Sequence, residues 1–448
     1  MRTSNRPAER LEATVGRAPG APAGSARRPP WALLLCVFLL AAVPRLACVW
    51  FWSSPMAPDS WTYVTPAKNL AFGRGYVDDA GHPLSFRPPT YPLFLAGVFR
   101  VAGVSIGAVE VVQSLLAAAG AAALALWVRR RWGRGAGVAT GILVALDPIL
   151  IPVPAFVLTE ALGTVLVVAI VVCLEQGLLT RRSGLLVLGG LLGGAAALNT
   201  PITLLLVPWL LLTIWAVRPW GRPDWRACLL ALGMAASCLG AWTARNYLVQ
   251  GNAIVVRDNG FGSLVWATTE YDFDWLPSPH EPAWTALRQK FDALYAGHTD
   301  QEAHDIFLRE AWRNFRSSPL LVLKRVAKAN FWFWFEAPGS HLSGEFRPVR
   351  YLTLLFHQFQ LLALVVALWS LWRAGRLRQW ALWISTIAYF AVFLSLMMPI
   401  PRYYVPLLPV MDTLIASGLA LLAAGSGPGA PPAGGGASPR GGSIDPAG

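Results

Sequence analysis

The chain has 448 residues, of which 55% are hydrophobic and only 14% charged, a balance that excludes a water-soluble globular protein and points to a polytopic membrane protein. Its formal net charge of +13 does not mark a nucleic-acid binder, because much of the excess sits in tight clusters beside apolar runs, such as RRRWGR at 129–134, as cytoplasmic-side arginines do. The five cysteines fall in or beside apolar runs without metal-ligand spacing, which argues against a disulfide framework or a zinc site.

Residues 1–30 and 425–448 are rich in Gly, Pro, Ala, Ser and Arg and are expected to be disordered cytoplasmic tails. The run from Trp31 to Trp52 follows two arginines, as a signal peptide would, yet it is long and contains Pro44 and Arg45. It reads as an uncleaved first span. Further runs follow near 107–128, 136–153, 155–178, 184–199, 201–217, 226–244, 351–372, 379–398 and 403–424. That predicts an all-α bundle of about ten transmembrane helices, with 92–103 a possible short or re-entrant addition. With the N-terminus inside, Arg129–Arg134, Arg181–Arg182, the 218–226 linker and Arg373–Arg378 all become cytoplasmic. The same topology exports the loop 53–106 and the segment 245–348. A transmembrane core therefore covers 31–244, and the last helices cover 349–424.

The 245–348 segment carries its own helix signals and reads as a small outer-face domain. Thr299 and Glu302 form a capping box ahead of Ile306, Phe307, Ala311, Trp312 and Phe315 at helical spacing. After Pro319, LLVLKRVAKANFWFWF sets three cations against an aromatic cluster, as an interfacial helix does; an eleventh span is the alternative. No internal repeat is visible, which disfavours repeat-built transporters.

Polar chemistry concentrates in residues 57–94, APDSWTYVTPAKNLAFGRGYVDDAGHPLSFRPPTYPLF. Asp59 is the first acid after the first span, suited to take a proton from an attacking hydroxyl, or else to cap a short loop helix. Arg87, Arg245 and Arg402 stand where spans meet the outer surface, and Lys68 lies in the loop between. Each arginine is a phosphate ligand or a snorkelling anchor, since a planar guanidinium binds phosphate oxygens in pairs and also snorkels readily. Arg45 lies deeper, where an ionisable residue marks function or a buried pair. Glu160 opens the outer half of the fourth span and binds sugar or acceptor hydroxyls, or pairs with Arg87 or Arg45. Tyr63, Tyr91, Tyr403 and Tyr404 sit at interface depth, as sugar-stacking rings or as an aromatic belt. His280, His298, His304 and His341 lack ligand spacing, and Asp272 and Asp274 read as solvated acids, so neither metal nor cofactor is expected.

The order PDSWTY, NLAFGRGY, RPPTYPLFLAG, LTEAL at 158–162, ARNY at 244–247 and PRYYVPLLPV at 401–410, after a Trp-rich first span with Arg45, resembles the membrane glycosyltransferases of the GT-C fold. It looks like the branch of protein mannosyltransferase-like and aminoarabinose-transferase-like enzymes, glycosyltransferase family 39, over most of residues 31–424. The resemblance implies transfer of a sugar from a polyprenyl-phosphate donor to an acceptor on the outer face, with an acid of the first outer loop as base. That acid is Asp59; some relatives carry a second acid beside it, where this sequence has Ser60. A single base and one displacement imply inversion at the anomeric carbon. The readings from other classes are a transporter or flippase for a lipid-linked sugar, whose ionisable residues would sit near the bilayer midplane, and a non-catalytic partner in envelope glycan assembly.

Overall fold

A computed structural model describes residues 30–51, 56–219, 223–251, 253–256, 285–286, 289–290, 292–293, 296–298, 300–335, 347–396 and 401–425. The two tails, Thr299 of the expected capping box, His280, His341, Asp272 and Asp274 lie outside them. The described residues form helices with no strand, apart from an isolated bridge between Val77 and Pro83. In chain order these are α1 (Pro30–Phe51), α2 (Pro58–Ala71), α3 (Thr90–Ala102), α4 (Ile106–Trp132), α5 (Arg134–Leu146), α6 (Glu160–Thr180) and α7 (Ser183–Ala197). They continue with α8 (Leu206–Val217), α9 (Trp225–Gln250), α10 (Asp300–Ser317), α11 (Pro319–Phe335), α12 (Arg347–Arg373), α13 (Ala381–Leu396) and α14 (Leu408–Gly425).

Each of the ten expected runs falls on a helix, and among the described residues seven helices are long and apolar enough to cross a membrane. α5, α7 and α8, with 13, 15 and 12 residues, are short of the roughly 20 that a span takes. Pro201 and the turn at Val153–Ala155 interrupt the apolar sequence with 3-10 turns. The 92–103 run is α3, too short to span.

The bundle closes through small residues where helices meet. A Cβ on Gly190 of α7 would stand 2.0 Å from the Ala231 carbonyl oxygen of α9, and one on Gly193 would stand 2.1 Å from Val207 of α8. In lipid, where apolar contact alone drives little association, such close backbone approach is what binds helices together. α4 and α12 carry arginine in their last turns and α6 and α8 are capped by Arg181 and Arg218 at one end of the bundle, where Arg378 donates to the carbonyls of Val217 and Arg218 at 3.0 and 2.8 Å. The opposite end carries α2, α3 and the N-termini of α4, α6 and α14.

α11 docks on the bundle rather than only lying beside it. Asn330 donates to Ala391 O (3.0 Å) and Ser395 Oγ (2.9 Å) of α13, and Phe333 joins the main core. On α10 the expected apolar face divides: Phe307 and Ala311 are buried, whereas Trp312 and Phe315 stack on each other at the surface.

Candidate active site

Asp59 lies in the first turn of α2. Pro58 occupies the first helical position, where its missing N–H costs nothing, and the N-cap is Ala57, so the capping role for Asp59 is not realised. Its carboxylate instead joins two arginines that are far apart in sequence. Arg87 Nη2 donates to Oδ1 at 2.7 Å and Arg402 Nη2 donates to Oδ2. Arg402, in the 3-10 turn Pro401–Leu407, also holds its Nε 3.4 Å from Glu160 Oε1. That is ion-pair distance without hydrogen-bond alignment, so Arg402 Nε and Glu160 Oε2 keep no hydrogen-bond partner among the described residues. Two carboxylates and two guanidiniums thus neutralise one another at the end of the bundle.

The side chains around this quartet fix Arg87. Its Nε donates to Thr62 Oγ1 at 2.8 Å, and its guanidinium lies 4.6 Å over the Tyr63 ring and 4.7 Å over Phe86. Tyr63 meets Tyr91 edge to face at 5.2 Å, and the Tyr91 hydroxyl donates to Gln113 Oε1 at 2.8 Å. Gln113 in turn donates to the carbonyls of Pro154 and Phe156, which locks α2, α3 and α4 against the segment leading into Glu160. Burial pushes the Asp59 carboxyl up, but Arg87 and Arg402 outweigh it and hold it below the usual carboxylate range. The Asp59 side chain keeps 35% of its exposure, against 9% for Arg87 and 4% for Glu160. Asp59 is therefore the member of the quartet that faces out.

Of the other expected residues, Arg245, Lys68, Arg45 and Tyr404 make their contacts elsewhere. Arg245 donates to Leu84 O (2.6 Å) and Tyr76 O (2.9 Å), stapling α9 to the Gly-rich turn of the loop, and packs near the rings of Tyr76 and Trp242. That turn needs Gly81 at φ +90°, where Asp78 accepts from the amides of Ala80 and His82. Lys68 pairs with Asp79 at 2.7 Å at the surface. Arg45 is buried and donates to Ala41, Val144 and Ala145 carbonyls, so it closes the C-terminal end of α5. Tyr403 lies under Arg402, while Tyr404 turns into the core against Phe333 and His357. Among the described residues no group of three or more His, Cys, Asp or Glu could hold a metal ion.

Sequence reading missed Thr62, Gln113 and a deeper polar cluster. Asp147 accepts from the amides of Ile149 and Leu150, and Gln360 of α12 donates both to Asp147 Oδ2 (3.2 Å) and to Asp412 Oδ1 of α14 (2.7 Å). Polar residues isolated within apolar runs were the available signal.

Residues 86–242 match the family model described as dolichyl-phosphate-mannose-protein mannosyltransferase. The window takes in Arg87 and Glu160, while Asp59 and Arg402 fall outside it. No curated protein matches the chain. Among solved structures, the oligosaccharyltransferase AglB from Archaeoglobus fulgidus, in complex with an inhibitory peptide and a dolichol-phosphate, matches at a TM-score of 0.50 and 12% identity. That match covers 86% of this chain and 50% of AglB, so the chain spans about half of AglB's length. ArnT from Cupriavidus metallidurans bound to undecaprenyl phosphate matches at a TM-score of 0.40 and 14% identity, over 86% of this chain and 77% of ArnT. At these identities the AglB likeness is one of fold.

Proposed function

We propose that this chain, a multi-pass membrane protein of the GT-C glycosyltransferase class, transfers a monosaccharide from a polyprenyl-phosphate donor to a hydroxyl on the outer face of the membrane, with inversion. The single observation that carries the reading is the Asp59 carboxylate held between Arg87 and Arg402 at the open end of the bundle. The family match through Arg87 and Glu160 supports the donor class.

In this reading the donor phosphate takes the place of Asp59 on the two guanidiniums. Both arginines present planar donor forks, and a phosphodiester offers oxygens at matching spacing. Released from them, the Asp59 carboxylate regains ordinary basicity and accepts the proton of the acceptor hydroxyl as its oxygen attacks the anomeric carbon. The bond from that carbon to the phosphate oxygen breaks, and the leaving phosphate keeps its charge against Arg87 and Arg402. It needs no general acid. Glu160 holds Arg402 in place from behind, Thr62 does the same for Arg87, and Tyr63 and Tyr403, whose rings pack on the two guanidiniums, flank the sugar. Arg245 and Lys68 hold the loop that carries Asp59 rather than the phosphate. The acceptor, whether protein, lipid or growing glycan, contacts the exposed side of Asp59.

The test is release of polyprenyl phosphate by the purified protein in lipid, from a panel of labelled polyprenyl-phosphate sugars with a hydroxyl acceptor. Release that depends on acceptor and on Asp59 supports transfer. Movement of intact donor across the bilayer without release supports the flippase reading instead.

A further inference from the structure

The arginine-rich end of the bundle, opposite Asp59, contains a cavity with polar groups on one wall. It has a volume of about 290 Å³ and is walled by Trp132, Arg376, Trp380 and Ser417, with Leu371 and Leu421 among its apolar neighbours. Trp132 and Trp380 stack at 4.3 Å and 20°, and Arg131 lies 4.3 Å over the Trp132 ring. Trp380 is fully buried and Ser417 is 4% exposed. Yet Trp132 Nε1, Trp380 Nε1 and Ser417 Oγ have no hydrogen-bond partner among the described residues.

An indole N–H and a guanidinium can only donate, and a serine hydroxyl can donate or accept, so this wall is rich in donors. Buried donors without partners are costly, and a ligand made of acceptors relieves them. The charge agrees. The stretches 127–137, 369–380 and 413–425 that form the wall carry seven arginines and no acid. Arg131 is the one drawn to a buried carboxylate, Glu175 at 3.4 Å, while Arg376 is exposed with no side-chain partner among the described residues. The other wall is apolar and belongs to α12 and α14, whose sides continue into the depth of the membrane.

We infer that this cavity binds the phosphodiester headgroup of an anionic phospholipid, its acyl chains lying along α12 and α14. A phosphodiester supplies acceptor oxygens and negative charge in one group, and basic pockets between helices at a membrane surface take such headgroups. A free phosphate would satisfy the donors but not the apolar wall. The site is separate from the Asp59 quartet and does not rest on the transfer reading.

The experiment is native mass spectrometry of the full chain titrated with phosphatidylglycerol or phosphatidylcholine, for wild type, Arg376→Gln, Ser417→Ala and Trp380→Phe. Trp380→Phe keeps the ring stacked on Trp132 while deleting its donor, and Arg376→Gln changes an exposed residue, so at least one variant folds. Wild type should retain phosphatidylglycerol about tenfold better than phosphatidylcholine, whose headgroup cation faces Arg376; Arg376→Gln should lose most of that preference, and Ser417→Ala and Trp380→Phe should weaken retention of phosphatidylglycerol several-fold. Inorganic phosphate at millimolar concentration should leave the bound lipid in place. Equal retention of the two lipids by wild type, undiminished preference in Arg376→Gln, or displacement by inorganic phosphate would each overturn the assignment.

Discussion

Two acidic clusters in this bundle show how differently the same side chain is used. At the open end, Asp59 and Glu160 face Arg87 and Arg402, every charge has an opposite partner, and one carboxylate remains exposed. Deep in the bundle, Asp147 and Asp412 are 0% and 1% exposed and are bridged by an amide, Gln360, rather than gripped by a guanidinium. Arg45 comes near, but its Nη1 and Nη2 donate to the carbonyls of Ala145 and Val144, just before Asp147. The first arrangement can exchange one anion for another, because its cations would accept a phosphate as readily as a carboxylate. The second is buried and ties α12 and α14 to the end of α5. On this view chemistry belongs to the outer cluster and cohesion to the inner one.

The sharpest break of that contrast is Asp59→Asn. Loss of a positioned general base should lower turnover by roughly two to four powers of ten, while donor affinity stays the same or improves, since Asn no longer competes for the arginines. Initial rates against donor concentration decide it. A folded Asn variant with near-normal turnover would move the base elsewhere.

Next in size are Arg87→Lys and Arg402→Lys. A lysine keeps the charge but not the planar fork, so each should cost about 1.5–3 kcal/mol of transition-state stabilisation, roughly ten- to a hundredfold in kcat/KM. Arg245→Lys is the comparison. Its partners are the carbonyls of Leu84 and Tyr76, so it should lower Tm and leave the donor KM unchanged. A raised donor KM at normal Tm would return Arg245 to the phosphate site.

The pH dependence follows from the same pairing. The folded-state pKa of Asp59 is depressed, so the stability its ion pairs contribute is present above the ordinary carboxylate value of about 3.9 and is lost as pH falls through the lower folded value. Once the donor phosphate draws off Arg87 and Arg402, Asp59 should titrate closer to that ordinary value. The acid limb of kcat at saturating donor should therefore lie at higher pH than the acid limb of kcat/KM. Coincident limbs would mean that Asp59 keeps both arginines during turnover.

Much of this was legible in the sequence. Apolar runs located all ten bundle helices, since hydropathy is a local property, but their lengths depended on turns at Val153–Ala155 and Pro201–Thr203 that composition does not weigh. Asp59 and Arg87 stood out because they are charged residues in a compact loop. Their convergence with Arg402 did not, for no local pattern reports a contact across 343 positions. Arg245 sits at a span end, like Arg402, and sequence alone could not tell a loop staple from a phosphate ligand. Asp147 and Asp412 were passed over although the rule that singled out Arg45, an ionisable group inside an apolar run, applies to both.

The smallest expected effect is the most discriminating between the two clusters. Asp412 accepts from Gln360 through Oδ1, and its Oδ2 has no hydrogen-bond partner among the described residues. Asn offers the same acceptor oxygen in nearly the same volume, so Asp412→Asn should keep the Gln360 bond and change unfolding stability by no more than about 1 kcal/mol. Asp412→Leu removes the acceptor and leaves the Gln360 amide with one partner fewer, which should cost about 1–3 kcal/mol and lower Tm. In both variants transfer by the folded fraction should stay within about twofold of wild type, because nothing in the inner cluster reaches the Asp59 end except through helix packing. Thermal unfolding and initial rates on the same preparations separate the possibilities. A large loss of turnover in Asp412→Asn at unchanged Tm would mean that the inner carboxylates take part in the reaction, and the division between an outer cluster for chemistry and an inner one for cohesion would fall.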